Sequence, residues 1–198
     1  MLKKLGVVII VLSMSMNVWA SNEIKLPAPD KSNQTTLMQA LSERQSDKDF
    51  INKKIDDKTL STLLWSAYGV NRDNGKRTIP TALGKNDLQI YIADNRGTWL
   101  YDAENNTLIS IGDIDIRPLF QTQDYMKNVP IVLIYVGSHE NYASMHAGSA
   151  YQNVELFVVA NQMASVVRGH FNKEDVQKAL NLPYDKRVII SQAIGYRK

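Results

Sequence analysis

Apolar residues recur at helical spacing in several stretches of the chain. Residues 34–44 place Leu37, Ala40 and Leu41 on one stripe. Residues 58–68 repeat the pattern with Leu60, Leu63, Leu64, Ala67 and Tyr68, and Gly69 is expected to stop that helix as a left-handed cap. Residues 140–163 form the longest helical candidate, apolar nearly all round in its second half, so it must be buried on several sides. Asn172 caps a short helix over 173–180, with Asp175 at the capping-box spacing and Pro183 beyond it. Strand patterns lie between these helices. Leu88 to Ala93 alternates, and Thr98–Tyr101 with Thr107–Ile111 reads as a hairpin around Glu104-Asn105-Asn106. Val129–Val136 is a continuous β-branched run, as in a central strand buried on both faces, and Val188–Ala193 is a last strand. Residues 70–87, rich in Asn, Asp, Gly, Pro and Thr, form a long loop. The mixture is α+β, with one sheet packed on a long central helix.

The ends and the composition narrow the picture. Lys3 and Lys4, the apolar run Leu5–Met14 and the small residues around Val18-Trp19-Ala20 predict a secretory signal peptide over residues 1–20, cleaved before Ser21. The rival reading is an uncleaved anchor, for which the run is short. Residues 21–33, polar with two prolines, read as a flexible leader. Export to the periplasm or the medium is the expectation, with no membrane association after cleavage. The 198 residues, 44% hydrophobic, suffice for one core. A formal net charge of +3, or +1 after cleavage, is too small and scattered for a nucleic-acid binder. With no cysteine, disulfides, thiolate metal sites and cysteine nucleophiles are excluded. The three histidines are poorly spaced for a shared metal, and no metal site is expected.

Four polar constellations remain. Arg44, Ser46 and Lys48 alternate, so an extended backbone would present two cations and a hydroxyl on one side, as a phosphate requires; a solvated helix end would look the same. Asn71 and Pro80-Thr81-Ala82 could offer an amide and a stiff turn to a flat heterocycle, or be plain surface loop. Gln152-Asn153 are adjacent amides in an apolar helix, satisfied either by a polar ligand or by a neighbouring loop. Val167-Arg168-Gly169 is a turn where the glycine admits close backbone approach. Asp113 and Asp115 look like the polar face of an edge strand. No Walker loop, dinucleotide fingerprint or nucleophile elbow is present.

In order and spacing, these constellations resemble the nitroreductase-like flavoproteins, and their exported compact branch near the peptide thiazoline/oxazoline oxidases, over about residues 34–197. Arg44, Ser46 and Lys48 resemble the family's R-x-S-x-R, with Lys48 for the second arginine. Leu60–Arg72 resembles L-x-x-L-L-W-A-A-x-G-x-N-R, and Arg77–Ala82 resembles R-T-x-P-S-A, with Gly84 where an Asn is common. Gln152-Asn153, Arg168-Gly169 and Gly195-Tyr196 resemble three further family segments. The resemblance implies that residues 34–198 form a three-layer α+β sandwich, with a central mostly antiparallel sheet and a long buried helix, dimeric, with two FMN sites at the interface. It implies that Arg44, Ser46, Lys48 and Arg197 hold the FMN phosphate. Asn71, Pro80, Thr81, Ala82 and Gln152 would line the ring, and Arg168-Gly169 would supply the backbone N–H facing flavin N5. The implied function is an FMN-dependent oxidoreductase passing hydride or electrons from a donor, such as an exported redox partner, to a small organic substrate in a ping-pong cycle. The alternative is a non-catalytic flavin- or ligand-binding descendant of the same fold.

Overall fold

The computed structural model describes residues 22–138 and 141–198; the predicted signal peptide and His139 lie outside the described residues. In chain order, the elements are β1 (Glu23–Lys25), α1 (Leu37–Glu43), β2 (Phe50–Ile51), α2 (Asp57–Tyr68), β3 (Gln89–Asp94), β4 (Gly97–Asp102), β5 (Thr107–Gly112), β6 (Ile131–Ser138), α3 (Asn141–Ala160), β7 (Met163–Arg168), α4 (Lys173–Ala179) and β8 (Lys186–Arg197). Among the described residues, all eight strands join one sheet in the order β1-β5-β4-β3-β6-β8-β2, with β7 also on β8, and every pair is antiparallel.

The sheet has two apolar faces because its central strands alternate between two cores. On β6, Ile131, Leu133 and Tyr135 face one way, against Leu60, Leu63 and Leu64 of α2 and Ala147, Ala150, Val154 and Val158 of α3. Val132, Ile134 and Val136 face the other, with Phe120, Met126 and with Val176 of α4. The result is the three-layer sandwich that the resemblance implies. The burial also acts on ionisation. Removal from water holds the phenols of Tyr68, Tyr91, Tyr101 and Tyr135 above the ordinary tyrosine range, Tyr68 at about 12. Unfolding returns each to its ordinary value of 10.0. The folded state therefore retains protons that the unfolded chain releases, so this contribution is complete below that value and is lost as pH rises through it. Urea midpoints are expected to fall steadily above about pH 10, with tyrosinate absorbance from these side chains rising only on unfolding. A midpoint that stays level between about pH 9 and pH 11.5 would contradict this linkage.

Four departures from the sequence reading have physical causes. Residues 22–36 are not a loose leader but a strap. β1 pairs with β5, and Leu26 is buried. The Pro27 carbonyl accepts from Asn106, the Asp30 N–H donates to Thr62, and Asn33 donates to the Ala160 carbonyl. Pro27 and Pro29 lower the entropy lost in ordering it. Second, Gly69 is extended (φ −67°, ψ 160°) rather than left-handed. A Cβ there would lie 2.3 Å from Trp65 Cδ1, so the glycine makes room for the indole, whose Nε1 donates to the Val70 carbonyl. Third, the long helix ends at Ala160, three residues early. Gln162 takes φ 55°, and the chain reverses into β7, a strand the sequence pattern does not predict, with Met163 expected in the helix and Val167-Arg168 in a turn. Asp115 likewise lies after β5, not on a strand, and clamps Arg117, which donates to the Val129 and Pro130 carbonyls.

Candidate functional site

α1 is capped by the Thr36 side chain and ends at Arg44, where the backbone becomes extended. Residues 44–49 then run outside helix and strand, closed at Lys48 by a tight turn in which its carbonyl accepts from the Phe50 N–H. Asp47 ties the segment down: its N–H donates to the Ser165 carbonyl of β7 at 2.8 Å, and its carboxylate accepts from Arg197 of β8 at 2.5 Å. Ser46 and Lys48 are exposed. Lys48 Nζ stands 5.4 Å from the centre of the Tyr125 ring, and the Arg168 guanidinium stands 5.5 Å from the same ring. Phe50 stacks against Tyr125 as well. Tyr125 thus joins the Arg44–Lys48 segment to the Arg168–Gly169 turn, two constellations more than a hundred residues apart in sequence.

Each cation has a defined partner. Arg44 Nη1 reaches Glu155 Oε2 at 3.3 Å. Glu155 is 3% exposed, and its other oxygen accepts from Ser165 Oγ at 2.8 Å and Gln192 Nε2 at 2.9 Å. Gln192 in turn accepts from the Tyr135 hydroxyl. Glu155 holds one edge of Arg44, while the half-exposed remainder of the guanidinium is available. Arg168 is 4% exposed and is spent inside the chain. It donates to the Phe120 carbonyl, Thr122 Oγ1 and the His170 carbonyl. What that turn presents outward is the backbone of Gly169, which is exposed and where a Cβ would meet nothing within 4 Å.

The remaining residues gather elsewhere. Asn71 is exposed and accepts from Arg72 Nε. Arg77 anchors the loop on the β4–β5 hairpin through Glu104 at 2.7 Å and lies over the Tyr68 ring. Its Nε and Nη1 are buried without partners. Pro80 is exposed, Thr81 and Ala82 are half-buried, and the Ala82 N–H donates to His146 of α3. His146 and Glu155 are nine residues apart on α3, about 13 Å along the helix. One chain therefore ties the Pro80–Ala82 turn and the Arg44 segment to different stretches of α3. Half-buried Gln152 lies between them, while Asn153 donates to the Ser66 carbonyl, the neighbouring-loop alternative. Sequence reasoning missed Tyr125, Glu155 and the Asp87–His146 pair. Glu155 had a signal: it is the lone carboxylate of α3.

Comparison with known proteins places the chain as a whole. The family model for the nitroreductase family matches residues 41–196. A nitroreductase relative in Methanocaldococcus jannaschii is 25% identical over 181 residues, covering 81% of this chain and 90% of that one. The crystal structure of a nitroreductase relative from Ralstonia eutropha is 31% identical, with a TM-score of 0.84, covering 89% of this chain and 90% of its own. The fold alone is shared with a chain of the E. coli microcin synthetase complex, at 17% identity and a TM-score of 0.70, over 98% of this chain and 85% of that one. By its sequence match, its sheet topology and its solved relatives, the chain belongs to the nitroreductase family of oxidoreductases.

Proposed function

We propose that this chain is an exported FMN-dependent oxidoreductase that acts as a homodimer on a small organic substrate. The observation that carries the reading is the meeting of the Arg44–Lys48 segment and the Arg168–Gly169 turn around Tyr125. The residues fit the group. Arg44, Lys48 and Arg197 are cations on or clasped to one segment, with the exposed Ser46 hydroxyl among them, the donor set that a phosphate monoester takes. The open backbone at Gly169 leaves space for a flat ring to approach a peptide N–H. FMN, when bound, supplies the two-electron redox chemistry, and the protein supplies grip and orientation.

A homodimer is supported by apolar surface left unpartnered within one chain. Leu37, Met38 and Leu41 of α1 are 62%, 72% and 46% exposed, and Tyr142 and Met145 of α3 are 38% and 65% exposed. In the homodimer proposed here, the Pro80–Ala82 turn of a second copy completes the site at the Arg44 segment, from which one chain keeps its own turn apart. Among the described residues, no helix is long and apolar enough to cross a membrane, and export rests on the character of residues 1–20. The donor is a reduced nicotinamide or an exported redox protein.

The test is a titration of purified mature chain with FMN, followed by flavin absorption and fluorescence quenching, with sedimentation for mass. Bound FMN at one per chain in a dimer is expected, bleached by a suitable donor. Chain that takes up no FMN and sediments as a monomer overturns the proposal. A second reading, a non-catalytic flavin binder, is favoured by the prior engagement of Arg44 and Arg197 with Glu155 and Asp47. Bound flavin that no donor reduces would select it.

A further inference from the structure

Three elements meet at a polar chain that the flavin reading leaves unused. His146 of α3 is 2% exposed. Its Nδ1 lies 2.8 Å from Asp87 Oδ1, and Ser138 Oγ, at the end of β6, donates to Asp87 Oδ2 at 2.9 Å. On the other side of the ring, Nε2 accepts the Ala82 N–H at 2.8 Å. A backbone N–H can only donate, so Nε2 carries no proton. The ring proton is on Nδ1, where Asp87 accepts it. The imidazole is thus a spacer of fixed polarity, an acceptor toward one end of the 82–87 loop and a donor toward the other.

The loop between these anchors needs such a hold. Leu83 to Asn86 are exposed. Leu83 sits at φ 54° and Gly84 at φ 69°, a left-handed pair in which the leucine is strained. Residues in such regions persist where their surroundings over-determine them. Here, both ends of the loop are fastened to one buried ring.

We propose that the Ser138–Asp87–His146 relay is the positioning device of the Pro80-Thr81-Ala82 turn, fixing the backbone against which the flavin ring packs. This rests on the flavin reading above. His146 is a positioning residue and touches no reacting atom. Because the Ala82 N–H is spent on His146, the turn meets the ring through its shape and its other peptide groups.

The experiment compares wild-type chain with His146→Leu, His146→Asn and His146→Gln. It measures amide hydrogen exchange over residues 80–87 without flavin, and dissociation constants for riboflavin and FMN. Glutamine carries an amide oxygen to about the place of Nε2 and can accept from Ala82; asparagine ends near Nδ1 and cannot. The leucine and asparagine variants are expected to exchange faster across the loop and to lose about tenfold in affinity for riboflavin and FMN alike. The glutamine variant is expected to stay within about threefold of wild type on both measures. The proposal is overturned if the leucine or asparagine variant matches wild type, if the loss is confined to FMN, or if glutamine fails as asparagine does. Should the leucine variant not fold, the glutamine–asparagine pair makes the same comparison. Wild-type chain that takes up neither flavin defeats the flavin reading instead, and the exchange data still decide whether the relay holds the loop.

Discussion

An Arg44→Ala variant should bind FMN about tenfold to a hundredfold more weakly than wild type, while its riboflavin affinity stays within about threefold. A charge-assisted hydrogen bond to phosphate is worth about 1.5–3 kcal/mol, and riboflavin has no phosphate to lose. The change should also lower the urea midpoint. Glu155 keeps its bonds from Ser165 and Gln192 on one oxygen, while the oxygen that faces Arg44 loses its partner. Arg44 is partly exposed at 36%, which limits its share in stability. Arg44→Lys should recover only part of the affinity, because an ammonium cannot hold Glu155 along one edge and a phosphate along another. Equal FMN dissociation constants for wild type and Arg44→Ala would remove this residue from the site.

Arg168→Ala should cost about 2–4 kcal/mol of folding stability, read as a lower urea midpoint. The side chain is almost fully buried and gathers the Phe120 carbonyl, Thr122 and the His170 carbonyl around one guanidinium. Truncation leaves those acceptors facing a void. It also frees the 120–125 segment, and with it Tyr125, from the turn before Gly169. Arg168→Met restores volume without donors and should recover less than half of the loss, since the unmet acceptors are the larger part of it. Stability within about 0.5 kcal/mol of wild type would show that the 120–123 segment does not depend on this residue.

The central layers were legible because their apolar periods are strong. Leu60, Leu63, Leu64 and Ala67 announce α2, and the run into β6 announces a strand buried on both faces. β7 is hard to read because its apolar run is short and follows the helix after only the polar pair Asn161-Gln162, and the reversal depends on a left-handed Gln162 that no glycine advertises. The strap was misread because proline and polar residues look alike in a loose tail and in a segment whose backbone bonds to the domain. In the site, Arg44, Ser46 and Lys48 were visible through alternation alone. Their company was not. Glu155 and Tyr125 reach them from positions 111 and 77 residues away, and a histidine in an apolar helix carries no mark of the Asp87 and Ala82 partners that His146 meets. Those pairings are made by the fold, and single-chain periodicity does not encode them.

The clasp between Asp47 and Arg197 has a consequence for biogenesis. It closes a span of 150 residues, joining an early segment to the outer end of the final strand. Contacts so distant in sequence form slowly and late. The Arg44–Lys48 segment therefore stays unassembled until β8 docks, so under the proposed flavin reading a partly folded chain has no grip to offer and cofactor uptake waits for the last strand.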